Sequence, residues 1–433
     1  MGKTTERLWN RTFIILFQGQ FISDLGNGIF NAILSFWVLE LTHSKVMMGT
    51  ILACLALPRV ALGAFAGTFA DRHSRKWIIV ASDAIRGLLF VLVGAWALLA
   101  QGQFPAAVLY PMAVLSGVCS AFFSPAITSA LPDIVPHSQL TRANSLRTFS
   151  QSASSFVGYA CGGVLYAACL KAPPPWHGAP PLVLGYGICF IYAAITQLFM
   201  KIPLVKRESQ PTRILRDMWD GLKYTYRQKG IRALITIGMF LNFFAMMGVT
   251  LLTPLFDEER AHGYGEALYG AVMATMMVGQ LIGMLLVSTI KLKPRQRPVL
   301  FFLAVGALIG GMIPVGLVRS PALMFPLALI VGTAIAIMTI LIYTLLQTTV
   351  QPENRGRVFG VVTMVFEGLS PVAMAVSGFV AELFGVRPTI VGAFACAAVV
   401  LGFSLFNHSF KVFLRSEPLA AVPPAESNPL PPV

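Results

Sequence analysis

The chain has 433 residues, 56% of them hydrophobic and only 12% charged, with a formal net charge of +14 and a mean hydropathy of +0.73. That apolar share exceeds what a soluble domain of this length needs for its core, so the chain reads as an integral membrane protein. The six cysteines (Cys54, Cys119, Cys161, Cys169, Cys189 and Cys396) sit in or at the ends of apolar runs without metal-ligand spacing, which excludes a disulfide framework and a metal site.

Apolar runs long enough to cross about 30 Å of hydrocarbon fall at 12–39, 46–70, 77–100, 105–131, 144–170, 182–203, 231–256, 267–290, 298–318, 322–350, 357–384 and 388–410. The first is too long for a signal-peptide core and lacks a small-x-small cleavage site, so it counts as a helix. Twelve helices place both termini on one side. With that side cytoplasmic, 25 of the 32 Lys and Arg fall in inner segments and five in outer loops (Lys45, Lys171, Arg260, Arg319 and Arg387), while Arg59 and Arg86 lie within helices. The positive-inside rule then sets both termini in the cytoplasm. The same asymmetry, facing an anionic inner leaflet, accounts for the net charge without nucleic acid.

The expected organisation is an all-α integral membrane protein of two six-helix halves, 1–203 and 231–410. Between them lies a cytoplasmic linker, 204–230, in which Ile214, Met218, Leu222 and Tyr226 recur every four residues as an amphipathic helix would require. A Pro- and Ala-rich tail, 411–433, is expected to be disordered and cytoplasmic. The halves also resemble each other: the stretch from Gly49 to Arg59 aligns with that from Gly270 to Gln280, and Pro136 to Arg142 with Pro352 to Arg357. Two such halves are the layout of a transporter that binds its substrate between them near the midplane.

Between the second and third runs stands Gly67-Thr-Phe-Ala-Asp71-Arg72-His-Ser-Arg75-Lys76. It resembles the Gly-x-x-x-Asp-Arg-x-Gly-Arg-Lys signature of the major facilitator superfamily, with Ser74 at the second glycine. Phe122-Phe-Ser-Pro-Ala126, Leu131-Pro-Asp-Ile-Val-Pro136, Leu140-Thr-Arg-Ala-Asn144 and Gly356-Arg-Val-Phe-Gly360 are similar to segments of its macrolide- and siderophore-exporting branch. Gly158-Tyr-Ala-Cys-Gly-Gly163 resembles the antiporter motif of helix 5, with Tyr159 at the proline position. The resemblance implies the major facilitator fold and export of a small molecule in exchange for protons. It also implies a gate in which Asp71, at the end of helix 2, meets the start of helix 11 at Gly356 and Arg357, with Gly67 allowing close approach. Arg72, Arg75 and Lys76 would then reach Asp133 or Asp83.

Polar residues inside the helices form stripes. Gln20, Asp24, Asn27 and Asn31 share one face of helix 1; Asn144, Thr148, Gln151 and Ser155 do so on helix 5, Thr339, Tyr343 and Gln347 on helix 10, and Thr363, Glu367, Ser370 and Ser377 on helix 11. Interhelical hydrogen bonding accounts for Ser and Thr alone. A charge at the bilayer centre costs at least about 2.5–3.5 kcal/mol and so points to function. Asp24, Arg59, Arg86 and Glu367 all fall roughly 15–20 Å from the cytoplasmic face at 1.5 Å per residue, which suggests one neutral pocket. Static buried salt bridges are the alternative. Arg does not release its proton, so Asp24 or Glu367 carries any coupled proton, with Asp24 preferred.

The remaining substrate-contacting candidates are Gln20, Asn27, Asn31, Arg59, Arg86, Asn242, Phe243, Met246, Gln280, Tyr343 and Gln347. An adaptable apolar wall of Met273, Met276, Met277, Phe243, Phe244 and Met246 would accompany them. The histidines lie in loops or at helix ends and no phosphate-binding Gly-x-x-x-x-Gly-Lys loop occurs, so neither catalysis nor ATP use is expected, and no cofactor. The reading is a monomeric, multi-pass protein of the bacterial inner membrane that exports amphipathic or hydrophobic small molecules, drug- or siderophore-like, by proton antiport. Its partners are the small-molecule substrate, protons and the lipid bilayer. A lysophospholipid flippase of the same fold, a solute importer and a membrane sensor are the other classes considered.

Overall fold

Backbone polar groups in hydrocarbon must be satisfied within their own segment, so long apolar runs fold as helices. In the computed structural model, which describes residues 8–100, 103–136, 139–202, 222–290 and 292–416 without the side chains of Ala64, Asp71, Thr141 and residues 352–357, every regular element is helical. Twelve of the described helices exceed seventeen residues: α1 Arg11–Thr42, α2 Lys45–Arg72, α3 Arg75–Leu99, α4 Leu109–Ile134, α5 Leu140–Cys169, α6 Pro180–Gln197, α7 Lys229–Thr250, α8 Glu266–Thr289, α9 Arg297–Leu317, α10 Pro321–Thr349, α11 Pro352–Phe384 and α12 Val386–Phe406. Eleven are apolar enough to cross a membrane. The other is α5, whose stripe of Asn, Gln, Ser and Thr dilutes its apolar face.

Local chemistry sets the boundaries. The Asn10 side chain accepts from the Phe13 N–H at 2.9 Å and donates to the Ile134 carbonyl at 2.8 Å, capping α1 while tying it to the end of α4. Ser44 caps α2, and prolines open α6, α9, α10 and α11, where a missing N–H costs nothing. Two expected spans are broken. The seventh stops at Thr250 and resumes as a short helix Leu252–Glu258. The twelfth stops at Phe406, because Asn407 caps a separate helix His408–Leu414, so the expected tail from 411 begins within a helix. The amphipathic linker expected at 204–230 falls largely on 203–221, outside the described residues, as does the tail from 417.

Packing repeats between the halves. α1 packs on α5 and α6, α2 on α4, and α3 on α4 and α6; six helices later α7 packs on α11 and α12, α8 on α10, and α9 on α10 and α12. The halves meet through α2 with α11 and α5 with α8, which is the same pairing with the halves exchanged. Both seams are made by glycines. A Cβ at Gly49 would collide with the Met374 carbonyl and one at Gly378 with the Lys45 carbonyl; one at Gly270 would lie 2.7 Å from the Tyr159 carbonyl and one at Gly163 would collide with the Glu266 carbonyl. The interval of 215 residues between Arg142 and Arg357 also separates Gly163 from Gly378, so the two seams are repeat-related copies.

These contacts all lie at one end, the end of the 43–44 and 259–265 connections. There Lys45 Nζ pairs with Glu258 at 2.7 Å and the Lys45 N–H donates to Glu382 at 3.1 Å, linking the halves. Towards the other end α2 and α11 diverge: Gly368 faces Val60 at 3.5 Å, and Gly67 and Gly360 face open space.

At the closed end, Arg387 ties the C-terminal half together. It donates to Glu259 at 2.7 Å and to the Gly316 and Val318 carbonyls at 3.3 and 3.0 Å, while His262 and Arg319 also face Glu259. Burial opposes the Glu259 carboxylate, but the Arg387 hydrogen bond and charge, with Arg319 and His262, hold it below its ordinary value of 4.5.

Two outcomes follow from these features. In protein lacking Cys161 and Cys396, a Ser377→Cys probe is buried beside the seam; adding Gly270→Leu should raise its maleimide labelling several-fold, and unchanged labelling would show that the seam does not depend on glycine. Because its acidity is raised by folding, Glu259 contributes stability that is complete above pH 4.5 and is lost as pH falls through its lowered value. The loss in melting temperature caused by Glu259→Gln should therefore be full at neutral pH, reflecting about 1.5–3 kcal/mol for a hydrogen bond to a charged group, and shrink in acid.

Candidate functional site

Inside a bilayer an ionisable side chain needs a partner or water, and the described charges divide accordingly. Of the four charges expected in one pocket, Asp24 and Arg86 lie within Coulombic reach of each other in the N-terminal half. Arg86 donates to Asp83, one turn earlier on α3, at 2.5 Å, and Asp83 accepts from Gln197 of α6 at 2.9 Å. The Arg86 guanidinium lies 4.3 and 4.6 Å from the ring centres of Phe190 and Phe123. Asp83 and Gln197 are fully buried and Arg86 is 3% exposed, so in this conformation Arg86 serves the packing of α3 on α6.

Asp24 belongs to the same half. It is half-buried on α1, within Coulombic reach of Arg147 on α5 first and of Arg86 next. Arg147, counted in the sequence as a loop residue, stands in the second turn of α5, half-buried, with a 3.3 Å hydrogen bond to Thr128 of α4. The rest of the α1 stripe is engaged as well. Asn27 accepts from the Tyr186 hydroxyl at 2.5 Å, Gln20 is buried, and Asn31 is exposed and hydrogen-bonded to Tyr159.

Arg59 and Glu367 form the second group. They neighbour Val60 and Gly368, where α2 and α11 approach each other, and both are exposed, as are Tyr343 and Gln347 on α10 and Asn144, Thr148 and Gln151 on α5. These exposed polar groups stand on helices of both halves. Tyr343 stacks on Phe359 of α11 at 5.8 Å.

Other candidates are packing residues in this conformation. Asn242 donates to the Phe366 carbonyl at 2.8 Å and to Ser370 at 3.3 Å, joining α7 to α11, and Phe243 and Met246 pack around Met247, Ala373 and Ala393. Gln280 is half-buried where the backbone of α8 crosses Gly332 of α10. The expected methionine wall lies partly within the C-terminal half: Met273 and Met276 line a small void with Met312 and Met324.

At the open end, Arg75 pairs with Asp133 and donates to the Ser129 carbonyl at 2.9 Å, locking the 73–74 turn onto α4. Arg72 is exposed and Lys76 lies over the Trp77 ring. The Asp71, Gly356 and Arg357 side chains of the expected gate lie outside the described residues, and among the described residues a Cβ at Gly67 would meet no atom within 4 Å.

Arg147, Gln197 and Tyr186 escaped the sequence reading, and Asp83, expected to meet the basic residues of the turn between α2 and α3, is engaged by Arg86 and Gln197 instead. The three-residue interval from Asp83 to Arg86, and that from Asn144 to Arg147 along the α5 stripe, were the available signals. Removing one partner of a buried pair strands a charge, so Arg86→Gln should lower stability by about 3–5 kcal/mol, whereas Asp83→Leu with Arg86→Met should recover most of it. Melting of the purified variants decides between them.

Residues 16–375 match the family model of the Major Facilitator Superfamily. The chain is 24% identical over 389 residues to macrolide efflux protein A of Streptococcus pyogenes, covering 88% of this chain and 91% of that protein. It is 24% identical over 412 residues to the staphyloferrin A transporter of Staphylococcus aureus, covering 92% and 97%. Among solved structures, the nucleoside transporter NupG superposes with a TM-score of 0.71 at 13% identity over 94% of this chain and all of that one. A bacterial homologue of the lysosomal transporter Spinster, inward-facing and occupied, does so with a TM-score of 0.71 at 15% identity over 94% and 98%. A family model that matches most of the chain and folds of the same kind agree with the packing described above: the chain belongs to the Major Facilitator Superfamily.

Proposed function

We propose that this multi-pass transporter-family protein exports small amphipathic or hydrophobic molecules across the bacterial inner membrane by proton antiport. What supports the reading is the pairing of a glycine-sealed seam between the halves at one end with exposed polar side chains, Arg59 and Glu367 among them, on α2 and α11 away from it. Alternating access needs both arrangements, and the similarity to a macrolide efflux protein and a staphyloferrin transporter favours export. Twelve crossings with cytoplasmic termini follow from the positive-inside distribution, which makes the open end cytoplasmic. In this reading, contact of Asp71 with the start of α11 closes that end when the outer seam parts.

Asp24 is the coupling acid. It stands opposite Arg147, which bends its preference towards the charged form, while exclusion of water favours the neutral one; movement of α1 against α5 alternates these environments and loads or releases a proton. Glu367, exposed beside Arg59, orients charged substrates instead.

In everted vesicles carrying the protein, uptake of a panel of macrolides and siderophores should collapse with a protonophore and persist without ATP under a maintained proton gradient. Asp24→Asn should abolish proton-driven transport while leaving substrate binding within a few-fold of wild type, and Glu367→Gln should weaken binding of cationic substrates more than coupling. Proton release on substrate addition that survives Asp24→Asn but not Glu367→Gln would reverse the roles. Survival in both would remove proton antiport through either acid.

A further inference from the structure

On the outer flank of the C-terminal half, away from the cleft, α7 and α12 leave a groove of about 520 Å³. Its walls are Phe240, Phe244, Val399 and Phe403, and its rim at the open end of the molecule is Thr236 and Asn407. Val399 and Phe403 are 58% and 74% exposed, so the groove opens to whatever surrounds the bundle, which for an apolar span is lipid.

Its polar end is strongly cationic. Arg232 stands one turn before Thr236 on the same face of α7, exposed, with its guanidinium over the Tyr226 ring at 5.1 Å. Lys411 follows Asn407 by one turn on the short helix, and Lys229 and Arg415 are exposed nearby in sequence. No Asp or Glu occurs on α7 or anywhere from Val386 to Ser416. An apolar groove of limited volume that ends in positive charge, with no acid on either flanking helix among the described residues, is complementary to an acyl chain joined to a negative headgroup.

We propose that this groove binds an anionic phospholipid of the cytoplasmic leaflet, with one acyl chain between α7 and α12 and its phosphate held by Arg232 and Lys411. The site is separate from the substrate cleft, and it joins α7, which packs on α11, to the helix that follows α12. A lipid seated there bridges two helices of one half from outside.

Cys396, exposed and lining the groove, reports occupancy directly. In purified protein in mixed micelles, phosphatidylglycerol should slow N-ethylmaleimide labelling of Cys396 about ten-fold more than phosphatidylcholine does, a preference of the size expected from two cations near the surface. Labelling of the exposed Cys161 on α5 should be the same in both lipids. Arg232→Gln with Lys411→Gln should erase the difference, and Val399→Trp, which fills the groove, should abolish phosphatidylglycerol retention in native mass spectrometry at unchanged melting temperature. Equal protection by the two lipids would mean that the groove takes apolar chains without headgroup recognition. That result, or a preference surviving the double substitution, overturns the proposal.

Discussion

Helices in lipid gain nothing from hiding apolar surface, because the tails around them are as apolar as their own side chains; closeness of backbones has to hold them together instead. The contacts of Gly49 with Met374 and of Gly163 with Gly270 meet that requirement, and the rest of the molecule is arranged around them. They let α2 lie on α11 and α5 on α8 at one end only, and divergence from those points produces the cleft. A single larger residue at any of the four glycines would separate the same backbones, so the conformation and the composition of the seam are one property.

Charge is distributed by the same logic. The N-terminal half contains the paired acids and arginines, Asp83 with Arg86 and Asp24 facing Arg147. The C-terminal half presents Glu367 at the cleft and otherwise confines its charges to its ends, where Glu259 and Arg387 bind α9 to α12. Although the two halves repeat each other's packing, they do not repeat each other's electrostatics. Asn242 on α7 occupies a role of hydrogen bonding to α11, whereas the α1 face that packs on α5 presents a carboxylate.

That the chain is built of long apolar helices was legible in the sequence because crossing a bilayer demands length and apolarity together, and few soluble segments have both. Boundaries were less so: nothing in the apolar run 231–256 marks the interruption after Thr250, and Asn407 looks like any polar residue until it caps the next helix. Charge counting by side assigned Arg147 to water, since it treats a basic residue near a helix end as solvated. The helix had in fact already begun at Leu140. The network of Arg86 was invisible for another reason: Gln197 is 114 residues from Asp83, and only packing brings them together.

Within each half, hydrogen bonds, ion pairs and stacked rings such as Phe30 on Tyr186 at 4.7 Å join the helices to one another. Across the seam the ties are close backbone contacts, the Lys45 N–H bond to Glu382, the edge-on contact of Phe36 with Tyr269 at 5.2 Å and the partly exposed pair of Lys45 with Glu258, which contributes little in water. Hydrogen bonds and ion pairs between side chains are thus concentrated within each half, and close backbone packing is what the seam adds. A substitution at one of the seam glycines would therefore change how closely the two halves approach while leaving the helix contacts within either half untouched.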